Sequence, residues 1–171
     1  MKKKFIILFL LITVSISANG LAEVKAFFNK DCEAALISEI GKAKKSIYIA
    51  VFSFTRFNIA NALNKAAAKG ATVKVLWDKK QLESSEYGSK ILEILKKGKV
   101  DVILIDKESK MHHKFMVIDK ETVTTGSFNF TTSASKYNDE NLVIFQDKKI
   151  AEKFLKAWEG ISLEHKKSTK N

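Results

Sequence analysis

Proline is absent from all 171 residues. This removes the strongest breaker of helices and central strands and leaves glycine and asparagine as punctuation. Cys32 is the only cysteine, so neither an intrachain disulfide nor a cysteine-rich zinc site can form. It lies in an amphipathic stretch and is expected to be half-buried in a core, with an intermolecular bridge as the alternative. Arginine is scarce too: Arg56 stands alone among 30 lysines and arginines. Lysine neutralises a phosphate as a point charge, whereas base readout favours the bidentate fork of arginine. The composition therefore suits contact with a phosphate backbone and gives little means of base selection. No linker, repeat or low-complexity segment divides the chain.

Long apolar runs are missing beyond residue 22. Within residues 1–22, Lys2 to Lys4 form a positive start, Phe5 to Val14 an apolar run, and Ser15 to Ala22 a small and polar end. That order predicts a secretory signal peptide cut after Ala22 or Ala18, and hence an exported protein, periplasmic or secreted. The alternative is a retained membrane anchor, although the apolar run is shorter than the roughly 20 residues of a comfortable span. Residues 23–171 are enough for one domain with a real core. The formal charge is +11, and +8 without Lys2, Lys3 and Lys4. So basic a domain suggests a polyanionic partner, nucleic acid or an anionic lipid surface, although a merely solvated basic surface has the same composition.

Apolar periodicity alternates between strand and helix. Val24 to Phe28 reads as an opening strand, and Asp31 as the cap of a helix with Leu36, Ile40 and Ala43 on one face. Ser46 to Phe52 is a strand. Asn58 is expected to cap a helix with Ile59, Leu63 and Ala66 inward and Gly70 at its end. A strand from Thr72 to Trp77 precedes a polar loop, Gln81 to Gly88, and a helix marked by Ile91, Leu92, Ile94 and Leu95. Strands follow at Val100–Ile105, Lys114–Ile118, Thr122–Thr125 and Leu142–Phe145. Asp147 caps a last helix through Ile150, Phe154 and Trp158, with a frayed basic tail from Ser162. The pattern predicts an α/β domain with helices layered on a central sheet.

Met111 to Phe130, MHHKFMVIDKETVTTGSFNF, carries the chemistry. Side chains alternate along a strand, so His112 and Lys114 share a face and His113 points away. A possible nucleophile thus sits beside a fixed cation, and Ser127 and Asn129 bring a hydroxyl and an amide from a neighbouring segment. Such a set suits a phosphoryl group, whose developing negative charge needs stabilisation. Gly126, Ser127 and Asn129 are also common turn residues, and Gly126 permits close backbone approach. Divergent neighbours make a His112–His113 metal pair unattractive. His165 lies in the tail, and no carboxylate stands at ligand spacing, so no metal is expected.

The spacing H-x-K, four residues, D, six residues, G-S-x-N resembles the phospholipase D superfamily signature, and in particular its small single-motif bacterial endonucleases. Tyr48 to Thr55 looks like that family's buried second strand and following loop. Asn138 to Ile144 looks like the segment carrying its downstream acidic residue, Glu140. The resemblance covers roughly residues 24 to 160. It implies a phospholipase D-like α-β-α sandwich with a central mixed sheet, and metal-independent, cofactor-free phosphodiester hydrolysis.

By the same resemblance His112 is the nucleophile that forms a phosphohistidine, and Lys114 binds the nonbridging oxygens, supported by Ser127 and Asn129. Asp119 mainly holds structure. Glu140 is the candidate for orienting the His112 ring, the alternative being a surface carboxylate beside Asp139. One motif per chain implies a homodimer that pairs two copies of His112. Arg56, Lys79, Lys80, Lys110 and Lys136 flank the expected loops and could line a phosphate groove. Phe54, Phe57 and Phe128 could stack on bases, with core packing the alternative for each. The expected substrate is DNA, and RNA as well, cut with little sequence preference. Membrane phospholipid is the alternative substrate, and a non-catalytic nucleic-acid-binding module the alternative class.

Overall fold

The computed structural model describes residues 23–168, so the expected signal or anchor segment lies outside the described residues. The chain runs β1 (Val24–Phe28), α1 (Asp31–Lys42), β2 (Ser46–Val51), α2 (Phe57–Ala68), β3 (Thr72–Asp78), α3 (Lys79–Glu83) and α4 (Gly88–Lys97). It continues through β4 (Asp101–Ile105), β5 (Lys114–Ile118), β6 (Thr122–Gly126), α5 (Thr132–Lys136), β7 (Asn141–Gln146) and α6 (Lys148–Ser168). The strands form one sheet in the order β1-β7-β6-β5-β2-β3-β4. Strands β2, β3 and β4 are parallel, while β5 joins β2 antiparallel and β6, β7 and β1 follow antiparallel.

Alternation along β2 sorts the core into two layers. Ile47, Ile49 and Val51 pack with Leu36 of α1, Leu63 of α2 and Leu95 of α4. Ala50 faces the other way, toward Ala151 and Trp158 of α6. Helices therefore cover both faces, as the expected α-β-α sandwich requires, and β2 is buried along nearly its whole length. Trp158 fastens α6 to the sheet: its indole N–H donates to the Ile49 carbonyl (2.7 Å) and its ring meets Tyr48 edge-on at 5.3 Å. A buried indole needs such a partner, since its one donor is costly to leave unpaired.

Several local expectations change. Asp31 stands inside the first turn of α1, where its charge suits the helix dipole, but no side chain caps that helix. Asn58 likewise lies within α2, and its amide donates to Glu33 (3.1 Å) instead of capping. The expected polar loop from Gln81 is partly helical, because the Asp78 carboxylate accepts from the Gln81 N–H (3.0 Å) and nucleates α3. Thr131 caps the short α5 in the same way through the Ala134 N–H (3.1 Å). The expected frayed tail is a continuation of α6 to Ser168, with Ser162 buried.

Cys32 is fully buried rather than half-buried, which excludes an intermolecular bridge through it. Burial, aided by the charges of Glu140 and Asp31, pushes its thiol up to about 11.

Asp119 shows what the far end of the sheet is for. It follows β5 in a turn where Asp119 and Lys120 both adopt left-handed backbone (φ 53 and 59), closed by the Glu121 N–H on the Ile118 carbonyl (3.0 Å). Its carboxylate accepts the N–H groups of Lys44 (2.9 Å), Lys45 (2.7 Å) and Ser46 (2.9 Å), tying the α1–β2 connection to the β5–β6 turn. Burial opposes its ionisation, but those three bonds and the Lys45 charge outweigh it and hold the carboxyl below its ordinary value.

The pH sign follows from that lowered pKa. Asp119's contribution to stability is present above its unfolded pKa of about 3.9 and is lost as pH falls through the lower folded value. Asp119→Ala is expected to cost about 2 kcal/mol in urea unfolding at neutral pH, and less than that once the wild type is acidified below the folded value.

Candidate active site

Strands β2 and β3 end where β5 begins, because Val51 pairs with Lys114 and Trp77 and Asp78 lie alongside on the next strand. Strand β6 ends and β7 starts at the same edge, where Gly126 pairs with Leu142. His112, Lys114, Ser127, Asn129 and Glu140 all belong to this rim. Asp119 closes the opposite end of β5, five residues or about 16 Å of strand away from Lys114. The seven site positions expected from the sequence therefore divide into six on the rim, with Gly126 among them, and one remote structural carboxylate.

His112 lies two residues before the regular part of β5, and its backbone is held on each side. The Met111 N–H donates to Asp78 Oδ2 (3.0 Å), and the Phe52 N–H donates to the His113 carbonyl (2.9 Å). The Lys114 ammonium donates to the His112 carbonyl (2.9 Å). The His112 ring rests against Phe52, centroids 4.5 Å apart at 58°, and Lys114 Nζ lies 5.0 Å from the centroid of the same ring. His113 turns away onto Phe115 (5.4 Å), on the α6 face, as alternation predicts.

Electrostatics favour a neutral imidazole and a reserve of positive charge. Burial, then Lys114 and Lys110, lower the His112 pKa, while Asp78 pulls it upward. Burial lowers the Lys114 pKa against the attraction of Glu140. The group thus offers a nucleophilic ring beside a cation whose hydrogen bond goes to a neutral carbonyl.

Glu140 makes its contacts away from the His112 ring. It is 8% exposed, and both carboxylate oxygens are engaged: Oε2 accepts from the Ser127 hydroxyl and Oε1 from the Asn138 amide (3.0 Å). Its neighbour Asn141 pairs with Ser127 in both directions, the Asn141 N–H reaching Ser127 Oγ (3.1 Å) and the Ser127 N–H reaching the Asn141 carbonyl (3.2 Å). Ladder pairing at the β6–β7 end brings hydroxyl and carboxylate together, and within the single chain Glu140 meets Ser127 and Asn138 and makes no hydrogen bond to the His112 ring among the described residues. Asn29, itself left-handed (φ 51), accepts the Glu140 N–H on its side chain (3.0 Å) and fixes the segment from β1. Asn129 accepts the Ser53 N–H on Oδ1 (3.3 Å), leaving its NH2 as the group able to donate to a ligand. A Cβ on Gly126 would run into the Asn141 carbonyl, so close approach explains that glycine.

The other expected groove residues separate. Arg56 Nε–H is shared between the two Glu33 carboxylate oxygens (2.9 and 2.8 Å) and Lys79 pairs with Asp106 (2.6 Å), so both are partnered by acids. Lys80 reaches the Glu108 carbonyl (3.4 Å). Phe54 and Phe128 are core residues, while Phe57 stays partly exposed against Tyr87 (6.2 Å). Two rim residues were not foreseen as parts of the site. Asp78 falls one residue beyond the expected strand end, and Phe52 reads in the sequence as one more apolar strand residue. Among the described residues, no three His, Cys, Asp or Glu side chains gather as a metal site.

Asp78 is 3% exposed and accepts two N–H groups, one of them next to His112. Asp78→Ala is expected to cost about 2–3 kcal/mol of stability and to speed hydrogen exchange at the Met111 amide. Losing its negative charge should move the His112 pKa further down in an NMR titration, whereas Lys110→Ala should move it up.

The chain is similar to several known proteins. A family profile described as "Cardiolipin synthase, PLD-like domain" matches residues 36–161. The phospholipase D of Rickettsia prowazekii is 38% identical over 127 residues, covering 74% of this chain and 60% of that protein. The mitochondrial cardiolipin hydrolase of Mus musculus is 31% identical over 128 residues, covering 74% and 56%. The chain thus spans about 60% of the length of the phospholipase D relatives it matches. Among solved structures, Nuc of Salmonella typhimurium, described as a phospholipase D family member, superposes with a TM-score of 0.78 at 29% identity, covering 82% of this chain and 93% of that one. NucT from Helicobacter pylori gives 0.73 at 27% identity, covering 85% and 98%. Motif, sandwich and rim agree with these likenesses, and the chain belongs to the phospholipase D superfamily.

Proposed function

We propose that the chain is a phosphodiester hydrolase acting on nucleic acid through His112. The observation that carries this reading is the pairing of a neutral-leaning imidazole with Lys114, whose hydrogen bond goes to a carbonyl rather than to an acid. His112 attacks phosphorus through a ring nitrogen, a P–N bond forms, and the P–O bond to the leaving oxygen breaks. Lys114 and the Asn129 NH2 are the donors for the nonbridging oxygens, with Ser127 held ready by Glu140. The leaving oxygen needs a proton, and one chain supplies a single motif histidine. A two-fold dimer brings a second His112 to give that proton and then to take one from the water that cleaves the P–N bond. Every step is assigned to side chains of the two paired rims, so no metal or cofactor is required by this scheme.

Nucleic acid is favoured over lipid by three observations. The formal charge is +11 and almost wholly lysine, which suits a phosphate backbone. Lys110 sits close enough to His112 to act on its pKa, and Lys107 acts in the same way on His113. Finally, the chain covers nearly all of Nuc and NucT but only part of the proteins named phospholipase D and cardiolipin hydrolase. Those two names keep membrane phospholipid as the second reading.

The test is cleavage of plasmid and single-stranded DNA in excess chelator, for wild type and His112→Ala, over a dilution series. Chelator-resistant cutting that His112→Ala abolishes, with specific activity falling on dilution as dimers separate, is the expected result. Undiminished activity in a sedimenting monomer would remove the dimer. A folded wild type that cuts no DNA but hydrolyses cardiolipin or phosphatidylcholine vesicles would transfer the reaction to lipid, and a protein inert on any phosphodiester would leave only a binding module.

A further inference from the structure

We propose that Phe52 is the positioning residue of this site: one aromatic ring seats both the His112 imidazole and the Lys114 ammonium and holds them in register. The proposal rests on the phosphodiesterase reading for its consequences in turnover, but its geometry stands apart from it. Strand β2 ends at Val51, opposite Lys114, and the Phe52 N–H adds one more ladder bond to the His113 carbonyl (2.9 Å). The ring is thereby anchored from its own backbone beside the segment it touches. It lies 4.5 Å from the His112 ring and 5.0 Å from Lys114 Nζ.

Phe52 is half-buried and belongs to neither hydrophobic cluster of the core. Its neighbours in the chain differ: Val51 and Phe54 are fully buried core residues. A phenylalanine at a rim, against two polar side chains, is therefore accounted for by those side chains.

The chemistry explains why a ring is used. Among the described residues no hydrogen bond holds the His112 imidazole, and the Glu140 carboxylate meets Ser127 and Asn138 instead. An apolar face restricts the imidazole's rotation and keeps water from one side, which favours the neutral, nucleophilic form. The same face attracts the ammonium through its quadrupole without neutralising it. A carboxylate there would hold Lys114 more strongly but would compete with the phosphate for its charge. Phe52 holds the cation while leaving its charge to the substrate.

The experiment compares Phe52→Leu, Phe52→Tyr and graded ring fluorination at position 52, using bis(4-nitrophenyl) phosphate as substrate. Leucine removes the ring and should lower kcat by about ten- to a hundredfold, as misplacement of a reacting group does. It should also move the acid limb of kcat/KM to higher pH, because an uncovered His112 binds its proton more readily. Tyrosine keeps the ring and should restore both. Fluorination preserves shape while weakening the negative ring face, so kcat should fall stepwise with fluorine content. That series decides the matter even if the leucine variant fails to fold.

An NMR titration of His112 in each variant reads the imidazole directly, with or without turnover. Wild-type protein that turns over no phosphodiester would end the phosphodiesterase reading and leave the titration to judge Phe52. Wild-type kcat and pH limb in a folded Phe52→Leu, a tyrosine variant as impaired as leucine, a flat fluorine series, or an unmoved His112 titration would each overturn the proposal.

Discussion

The ladder between β2 and β5 is the constraint on which the rest of the rim depends. It sets Val51 opposite Lys114 and carries one further bond from Phe52 to His113. A slip of one residue would turn His112 and Lys114 to the α6 face and His113 into their place. Both faces of β5 are buried, so such a slip would also exchange Met116 with Phe115 and Val117 across two differently shaped core layers. Core packing therefore fixes the chemistry. Asp119 pins the same pair of strands at the far end, through three N–H bonds to the entry of β2. The motif aspartate thus acts on His112 through the register and not by contact.

The rim separates charge by use. Acids are assigned to partners that need fixing: Glu33 to Arg56, Asp106 to Lys79, Glu140 to Ser127, Asp78 to two backbone N–H groups. Lys114 instead rests on a carbonyl and an aromatic face. A cation held by neutral groups keeps most of its field for an incoming anion, whereas an ion pair spends it internally. The sole arginine has a structural part, its Nε–H linking α1 to the start of α2 through Glu33, while the Thr55 and Arg56 N–H groups reach the Phe130 carbonyl (2.8 and 2.9 Å).

Much of this was legible in the sequence because periodicity and spacing are local. β5 falls at its expected residues, the other strands within a residue or so, and the alternating order implied helices on a sheet. His112, Lys114, Ser127, Asn129 and Glu140 were placed by motif spacing and do share one edge. What escaped depended on long-range partners. The caps expected of Asp31 and Asn58 failed because each residue lies inside its helix, and Asn58 found Glu33, 25 positions away. Asp78 looked like the residue after a strand; only its contact with Met111 gives it a part in the site. Glu140 was expected on His112, but the β6–β7 pairing that delivers Ser127 to it cannot be read from either segment alone. Phe52 carries no polar signal at all, and its place between two motif side chains emerges only when β2 lies beside β5.

The claim from which the account draws its chemistry is that His112 becomes covalently bonded to phosphorus. The most direct measurement quenches the protein during turnover of a single-stranded oligonucleotide, in alkaline denaturant that preserves a phosphoramidate, and maps the adduct by peptide mass. A nucleotide adduct is expected on the peptide carrying His112, absent from His112→Ala. Turnover with no adduct, or an adduct on a different residue, would contradict it.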